Sequence, residues 1–246
     1  MKAFGVIPAR YGSSRFPGKP LADIEGKPMI VRVYERAKLA KTLDGVIVAT
    51  DDERIINAVK DHGGKAVMTS KDHPNGTQRI AEAVKDVDAD LFINIQGDEP
   101  LLDPLMIDLL VEALEKNPSI PMATLRKKID INSDFEDRNI VKVVAGLDGC
   151  ALYFSRGKIP YPRHSQYHQA FEHIGIYGYN KDLLLRYSEL PIGPLEQTES
   201  LEQLRVLENG YKILVINYEK EYNGIGVDTK EDLERVRTIY REQMGK

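Results

Sequence analysis

Short apolar runs of β character alternate with helical patterns along the first half of the chain, and this alternation restricts the fold more than any other feature. Ala3 to Ile7 reads as a buried strand. Met29 to Ala40 has helical spacing through Met29, Val33, Ala37 and Ala40. Val46 to Ala49 is a second strand, Arg54 to Lys60 a helix, Lys65 to Thr69 a third strand, and Thr77 to Val87 a helix with Ile80, Val84 and Val87 on one face. Leu91 to Ile95 is a fourth strand and Pro104 to Lys116 a helix. The pattern predicts an α/β fold with a mostly parallel central sheet covered on both faces. Such sheets take their ligands at the carboxyl ends of the strands.

The second half is less regular. Ile140 to Val144, Ala151 to Phe154 and Ile174 to Tyr179 read as strands. Arg156 to Glu172 holds Pro160 and Pro162 among many polar residues and reads as a long loop, of the length that is usually functional or mobile. Thr198 to Asn209 reads as one helix closed by Gly210, Lys212 to Tyr218 as a strand, and Lys230 to Gln243 as a final helix. No repeat or linker divides the chain, so residues 1–246 are expected to form a single domain. Its second half is expected to complete the sheet and add a smaller substrate-facing subdomain.

Composition narrows the function. One cysteine, Cys150, rules out an intramolecular disulfide and a cysteine-rich zinc site. A formal charge of −4 argues against a nucleic-acid surface as the main business. An anion-binding protein of this charge must concentrate its cations locally. The N-terminal apolar run ends in Pro8 and Arg10, too short for a signal sequence, and no apolar stretch approaches the ~18 residues that span a bilayer. A cytoplasmic protein without membrane or nucleic-acid partners is expected.

Four segments carry chemistry. Pro8-Ala9-Arg10-Tyr11-Gly12-Ser13-Ser14-Arg15-Phe16-Pro17-Gly18-Lys19-Pro20 follows the first strand. Its glycines let backbone N–H groups approach phosphate oxygens, Arg supplies bidentate contacts and Lys a point charge, the mixture a triphosphate needs. It is neither a Walker A loop nor a dinucleotide fingerprint; five residues separate Gly12 from Gly18, and Pro20 follows Lys19. Gln96-Gly97-Asp98-Glu99-Pro100 follows the fourth strand and suits either a magnesium ligand or a simple turn. In Gly226-Val227-Asp228-Thr229-Lys230-Glu231, Asp228 is either a second metal carboxylate or, with Thr229 and Glu231, part of a helix cap. His173, Tyr177 and Gln203 suit sugar hydroxyls, or else pack the core. His164 and His168 read as solvated loop residues rather than a metal pair, and Cys150 as a buried structural thiol.

These segments resemble, in order and over nearly the whole chain, the signature of the 3-deoxy-manno-octulosonate (KDO) cytidylyltransferases, or CMP-KDO synthetases. The resemblance rests on residues 7–21, Val48-Ala49-Thr50-Asp51-Asp52, Asn75-Gly76-Thr77-Gln78-Arg79, Gln96 to Pro100, Ala151 to Arg156, His173 to Tyr179, Leu201-Glu202-Gln203-Leu204-Arg205 and Gly226 to Thr229. One departure is Asn75, where the family often has Ser.

The resemblance implies a Rossmann-like nucleotide-diphospho-sugar transferase fold, a homodimer, Mg²⁺ as cofactor, and a reaction of CTP with KDO giving CMP-KDO and pyrophosphate for lipopolysaccharide synthesis. By the same resemblance Arg10, Ser13, Arg15 and Lys19 hold the triphosphate, with Arg15 and Lys19 stabilising the leaving pyrophosphate. Gly76, Thr77 and Arg79 frame the nucleotide, Asp98 and Asp228 bind magnesium, Arg156, His173, Tyr177, Glu202 and Gln203 face the sugar, and Gln96 is a further substrate-binding residue. The same reaction on 8-amino-KDO or another acidic sugar is the alternative enzyme; a nucleotide-binding protein without turnover is the alternative class.

Overall fold

The computed structural model describes residues 1–12, 16–130, 134–164, 166, 169–221 and 224–244. Strand β1 (Ala3–Ala9) leads through a loop and a short β2–β3 pair (Asp23–Ile24, Lys27–Pro28) to helix α1 (Met29–Ala37). There follow β4 (Gly45–Thr50), α2 (Glu53–Asp61), β5 (Ala66–Met68), α3 (Gly76–Ala83), β6 (Leu91–Asn94) and α4 (Pro104–Lys116). The second half holds β7 (Met122–Lys128), β8 (Lys142–Ala145), β9 (Ala151–Ser155), β10 (Phe171–Asn180), α5 (Lys181–Arg186), α6 (Pro194–Glu199), α7 (Gln203–Glu208), β11 (Ile213–Asn217) and α8 (Lys230–Met244).

The main sheet runs β11-β7-β10-β6-β1-β4-β5. β1 pairs in parallel with both β4 and β6, β4 with β5, and β11 with β7, while β10 runs antiparallel between β6 and β7. The expected mostly parallel sheet is therefore present. The hairpin β8–β9 lies off this path and joins the sheet through β10. One core layer packs Ile7, Ile93 and Ile95 against α1 and α4. A second packs Val6, Phe92, Tyr179 and Val215 against α3, α5 and α7. Parallel strands buried on both faces need this continuous apolar character, and β6 has it everywhere except at Asn94.

Two elements differ from expectation. β7 is a strand the sequence pattern conceals, because only Met122–Leu125 is apolar before Arg126, Lys127 and Lys128. The single helix expected over 198–209 is two. Ser200 takes a left-handed conformation (φ 54°, ψ 48°) between α6 and α7. A non-glycine residue there costs about 1 kcal/mol, and the break turns residues 200–203 toward the site.

Helix α8 packs Val236 and Tyr240 over Ile24 and Met29, and the Tyr240 hydroxyl donates to the Pro100 carbonyl at 2.7 Å. α6 and α7 are clamped by a buried pair in which Arg205 Nε donates to Glu196 Oε2 at 2.7 Å and Nη2 to Oε1. Removing one partner of a buried pair strands the other charge. We expect Glu196→Ala to lower the unfolding free energy by about 3 kcal/mol in urea titration. A loss below about 1 kcal/mol would show that this clamp is dispensable.

Candidate functional site

The site lies where the fold requires, at the carboxyl ends of β1, β4 and β6. After β1 the chain turns through a loop closed by Gly18 N–H donating to the Tyr11 carbonyl at 3.0 Å. Gly18 has φ +72°, a conformation glycine adopts without penalty. The loop is braced from outside, because the Arg54 guanidinium lies 3.3 Å from the Tyr11 ring centroid and forks onto Asp52. Ser13 and Arg15 lie outside the described residues.

Three remote segments meet at Lys19. Its Nζ lies 2.8 Å from Asp98 Oδ2 and 3.4 Å from Asp228 Oδ1. Each carboxylate is delivered by a specific device. Gly97 lets the loop after β6 press against β1; a Cβ there would meet the Pro8 carbonyl at 2.8 Å. Val227 N–H donates to the Asp98 carbonyl at 2.9 Å, so the segment before α8 is sewn to the Asp98 loop. The cap of α8 falls to Thr229 and Asp232, which exchange bonds: Asp232 N donates to Thr229 Oγ1 at 3.1 Å, and Thr229 N to Asp232 Oδ2 at 2.9 Å. The capping alternative is thus met by Thr229 with Asp232 in place of Glu231, and the Asp228 side chain is directed at Lys19.

Beside this cluster is a cavity of about 230 Å³. Strand alternation builds its floor. Pro8 of β1, Asn94 of β6 with Gln96 two residues beyond it, and Tyr177 and Tyr179 of β10 lie along the cavity, with Asn94 in register with Tyr177. Gly76 and Thr77 at the start of α3 form one wall, and Ser200–Gln203 the other. Of the residues expected at the substrate, Gly76, Thr77, Gln96, Tyr177, Glu202 and Gln203 line it together. The Thr77 hydroxyl donates to Glu202 Oε2 at 3.2 Å, Tyr177 OH to Gln203 Oε1 at 3.3 Å, and Gln96 Nε2 to the Gly175 carbonyl at 2.9 Å. Burial raises the Glu202 carboxyl, against the Thr77 hydrogen bond, which lowers it. Asn75, the departure from the resembling family, caps α3: its Oδ1 accepts from Gln78 N at 2.9 Å.

Four expected residues stand apart from that lining. Arg10 Nη2 donates to the His73 carbonyl at 2.6 Å, tying β1 to the loop before α3. Arg79 is wholly buried, donating to Thr69 Oγ1 at 2.6 Å and Asp51 Oδ2 at 2.8 Å. It fixes the ends of β4 and β5 to α3 from beneath. The Arg156 guanidinium is engaged with the carbonyls of Glu199 and Arg138. His173 is buried behind Tyr177, its Nε2 3.0 Å from the Thr124 hydroxyl. Sequence reasoning passed over Asn94, Tyr179 and Ser200. A polar residue inside the apolar run Leu91–Ile95 was the visible signal for the first. His164 is exposed, as expected, and His168 lies outside the described residues. Cys150 is buried and burial raises its thiol pKa, as a structural thiol requires.

Burial holds the His173 imidazole well below its ordinary 6.5, at about 3, so it is neutral in the folded protein. The unfolded chain binds that proton near pH 6.5, so this group's stabilisation is complete above 6.5 and falls at roughly 1.4 kcal/mol per pH unit toward 3. Glu202 acts in the opposite sense, because a raised carboxyl favours the folded state as pH falls. We therefore expect the difference between wild type and His173→Phe, measured by denaturant unfolding from pH 7 to 4, to change steadily in favour of the variant. A pH-independent difference would place the imidazole in solvent.

The cytidylyltransferase family model matches residues 4–213. The chain is 52% identical to the 3-deoxy-manno-octulosonate cytidylyltransferase of Solibacter usitatus, across 98% of this chain and 95% of that one. It is 53% identical to the same-named protein of Fusobacterium nucleatum, across 98% of each. Among solved structures, a CMP:2-keto-3-deoxy-manno-octonic acid synthetase complexed with CTP superposes with a TM-score of 0.94 at 46% identity, over 99% of this chain and all of that one. A putative glucose-1-phosphate thymidylyltransferase from Bacillus anthracis, 18% identical with a TM-score of 0.67, shares the fold alone. No helix among the described residues is long and apolar enough to cross a membrane. With this fold, this site and this identity along its length, the chain belongs to the 3-deoxy-manno-octulosonate cytidylyltransferases within the cytidylyltransferase family.

Proposed function

We propose that this protein couples CTP to KDO, forming CMP-KDO and releasing pyrophosphate, with the chemistry at the Lys19–Asp98–Asp228 cluster and the sugar in the adjoining cavity. The observation that carries this reading is the likeness to the CTP-complexed synthetase, 46% identical over 99% of the chain. The sugar's anomeric hydroxyl attacks the α-phosphorus of CTP in line, the P–O bond to pyrophosphate breaks, and the hydroxyl proton passes to solvent. Reactions of this kind rest mainly on positioning and charge stabilisation, which suits a site without a protein nucleophile.

The donor set fits magnesium. Mg²⁺ is commonly held by one or two carboxylates plus phosphate oxygens and water, and Asp98 and Asp228 already converge on one cation, the Lys19 ammonium. Bound there, the ion would neutralise charge on the α-phosphate and acidify the attacking hydroxyl. Lys19, with Arg10 and the loop residues Ser13 and Arg15, holds the triphosphate, and Lys19 and Arg15 balance charge on the departing pyrophosphate. Gly76 and Thr77 border the nucleotide, with Arg79 bracing them from below. Gln96, Tyr177, Glu202 and Gln203 bind the sugar from the cavity, with His173 behind and Arg156 bonded to the Glu199 carbonyl next to Ser200.

A reaction that consumes CTP belongs in the cytoplasm, where CTP is made, and its product activates KDO for lipopolysaccharide synthesis. We assign the protein a homodimeric state, supported by the resemblance and by the exposed Leu147 and Leu152 around the β8–β9 hairpin.

The test is pyrophosphate release with CTP, Mg²⁺ and each of KDO, 8-amino-KDO and a sialic acid, beside a sugar-free control. Release with KDO alone is expected; release only with another sugar would replace the substrate but keep the reaction. Asp98→Asn should fold normally and lose roughly 100-fold or more in turnover. Wild-type-like turnover in that variant would remove Asp98 from the metal site.

A further inference from the structure

Asn94 breaks the apolar run of β6. It is 4% exposed, lies on the floor of the cavity in register with Tyr177, and its Oδ1 has no hydrogen-bond partner. Across the cavity Gln203, 3% exposed, accepts from Tyr177 OH through Oε1, while its Nε2 has none. Burying a polar atom without a partner costs about 1–3 kcal/mol, and folded proteins keep few such atoms. Here two border one small cavity, one able to accept and one able to donate.

The remaining lining defines what would satisfy them. Among the described residues it contains no Lys or Arg, so a phosphate would find no counter-charge there. It offers the Thr77, Tyr177, Tyr179 and Ser200 hydroxyls and the Gln96 carboxamide. A hydroxyl both donates and accepts, so it is the neutral group that satisfies either end of a carboxamide. We infer that Asn94 is a specificity-determining residue that, facing Gln203, reads a hydroxyl of the sugar. The inference rests on the sugar-binding reading of this cavity and deepens it. It also accounts for the polar residue in the strand: Asn94 Oδ1 meets no partner from the protein, and the bound sugar supplies one. A sugar lacking the matching hydroxyl leaves the penalty in place, which is how a site built for a hydroxyl rejects its deoxy analogue.

Asn94→Leu keeps the side chain's bulk and removes both polar atoms. Three readouts are expected together. The calorimetric Kd for KDO, and its KM, rise about tenfold, the effect of ~1.4 kcal/mol. The Kd for CTP is unchanged. The melting temperature of the ligand-free variant stays level or rises, because an unsatisfied buried group has gone. Deoxy analogues of KDO then identify the hydroxyl: one of them binds wild type about tenfold more weakly than KDO does, and binds Asn94→Leu no more weakly than KDO does. Asn94→Ser, which restores a hydroxyl in a smaller side chain, recovers part of the affinity and serves if the Leu variant does not fold. An unchanged KDO affinity together with a lower melting temperature would overturn the inference and make Asn94 a structural residue. Wild-type protein that binds CTP but no sugar would fail differently, refuting the sugar reading of the cavity and this inference with it.

Discussion

The ammonium of Lys19 is what allows two carboxylates to stand together at the end of the sheet. Asp98 and Asp228 come from segments 130 residues apart, and each carries negative charge into a partly enclosed place. At such distances like charges repel appreciably, and one cation between them turns repulsion into two attractions. The rest of the architecture serves that convergence. β1 and β6 pair in parallel, so the loops carrying Lys19 and Asp98 leave the sheet side by side. α8 folds back across the β2–β3 pair to supply the third member.

Beside this charged cluster the protein places a hydroxyl- and amide-rich cavity whose described lining holds one carboxyl, Glu202, and no Lys or Arg, and the division is chemically sensible. Phosphates need full counter-charge of the kind Lys and Arg carry, and the Lys19 ammonium stands at the mouth of the sheet. Sugars need many directed hydrogen bonds from groups that cannot drift. Directed geometry comes from anchoring: Tyr177 and Asn94 sit on paired strands, Thr77 at a capped helix start, and Glu202 and Gln203 on a segment held by the buried Arg205–Glu196 pair. Arg79 and Asp51 perform the same service beneath the start of α3, where a buried charge is tolerated because it is paired.

How much of this could be read beforehand follows from where the information lies. The β/α alternation is a local property, so β1, β4, β5 and β6 and their helices were legible, as was the Gly-rich loop with its cations. β7 was not, because its last three residues are Arg and Lys and its strand character comes from pairing with β10 and β11. The helix over 198–209 looked continuous because nothing at Ser200 announces a left-handed residue; the break is imposed by tertiary packing. The two roles open to Asp228 were separated only when Asp232, three residues beyond Thr229, was seen to complete the cap. His173 and Arg156, expected to face the sugar, lie outside the described lining of the cavity, since spacing along a chain says little about which side chain reaches past its neighbour.

The position of α8 also has a bearing on how the protein comes into being. Every strand of the main sheet lies at or before Asn217, whereas Asp228 and the helix that seats it lie beyond. Domains generally fold in the order in which they are synthesised, N-terminal parts first. A nascent chain released at residue 217 would own the whole sheet, the cation-bearing loop and the cavity, and still lack one of the two carboxylates. Such a product would keep every strand of the main sheet, yet leave Ile24 and Met29 without the helix that covers them and Lys19 without its second carboxylate.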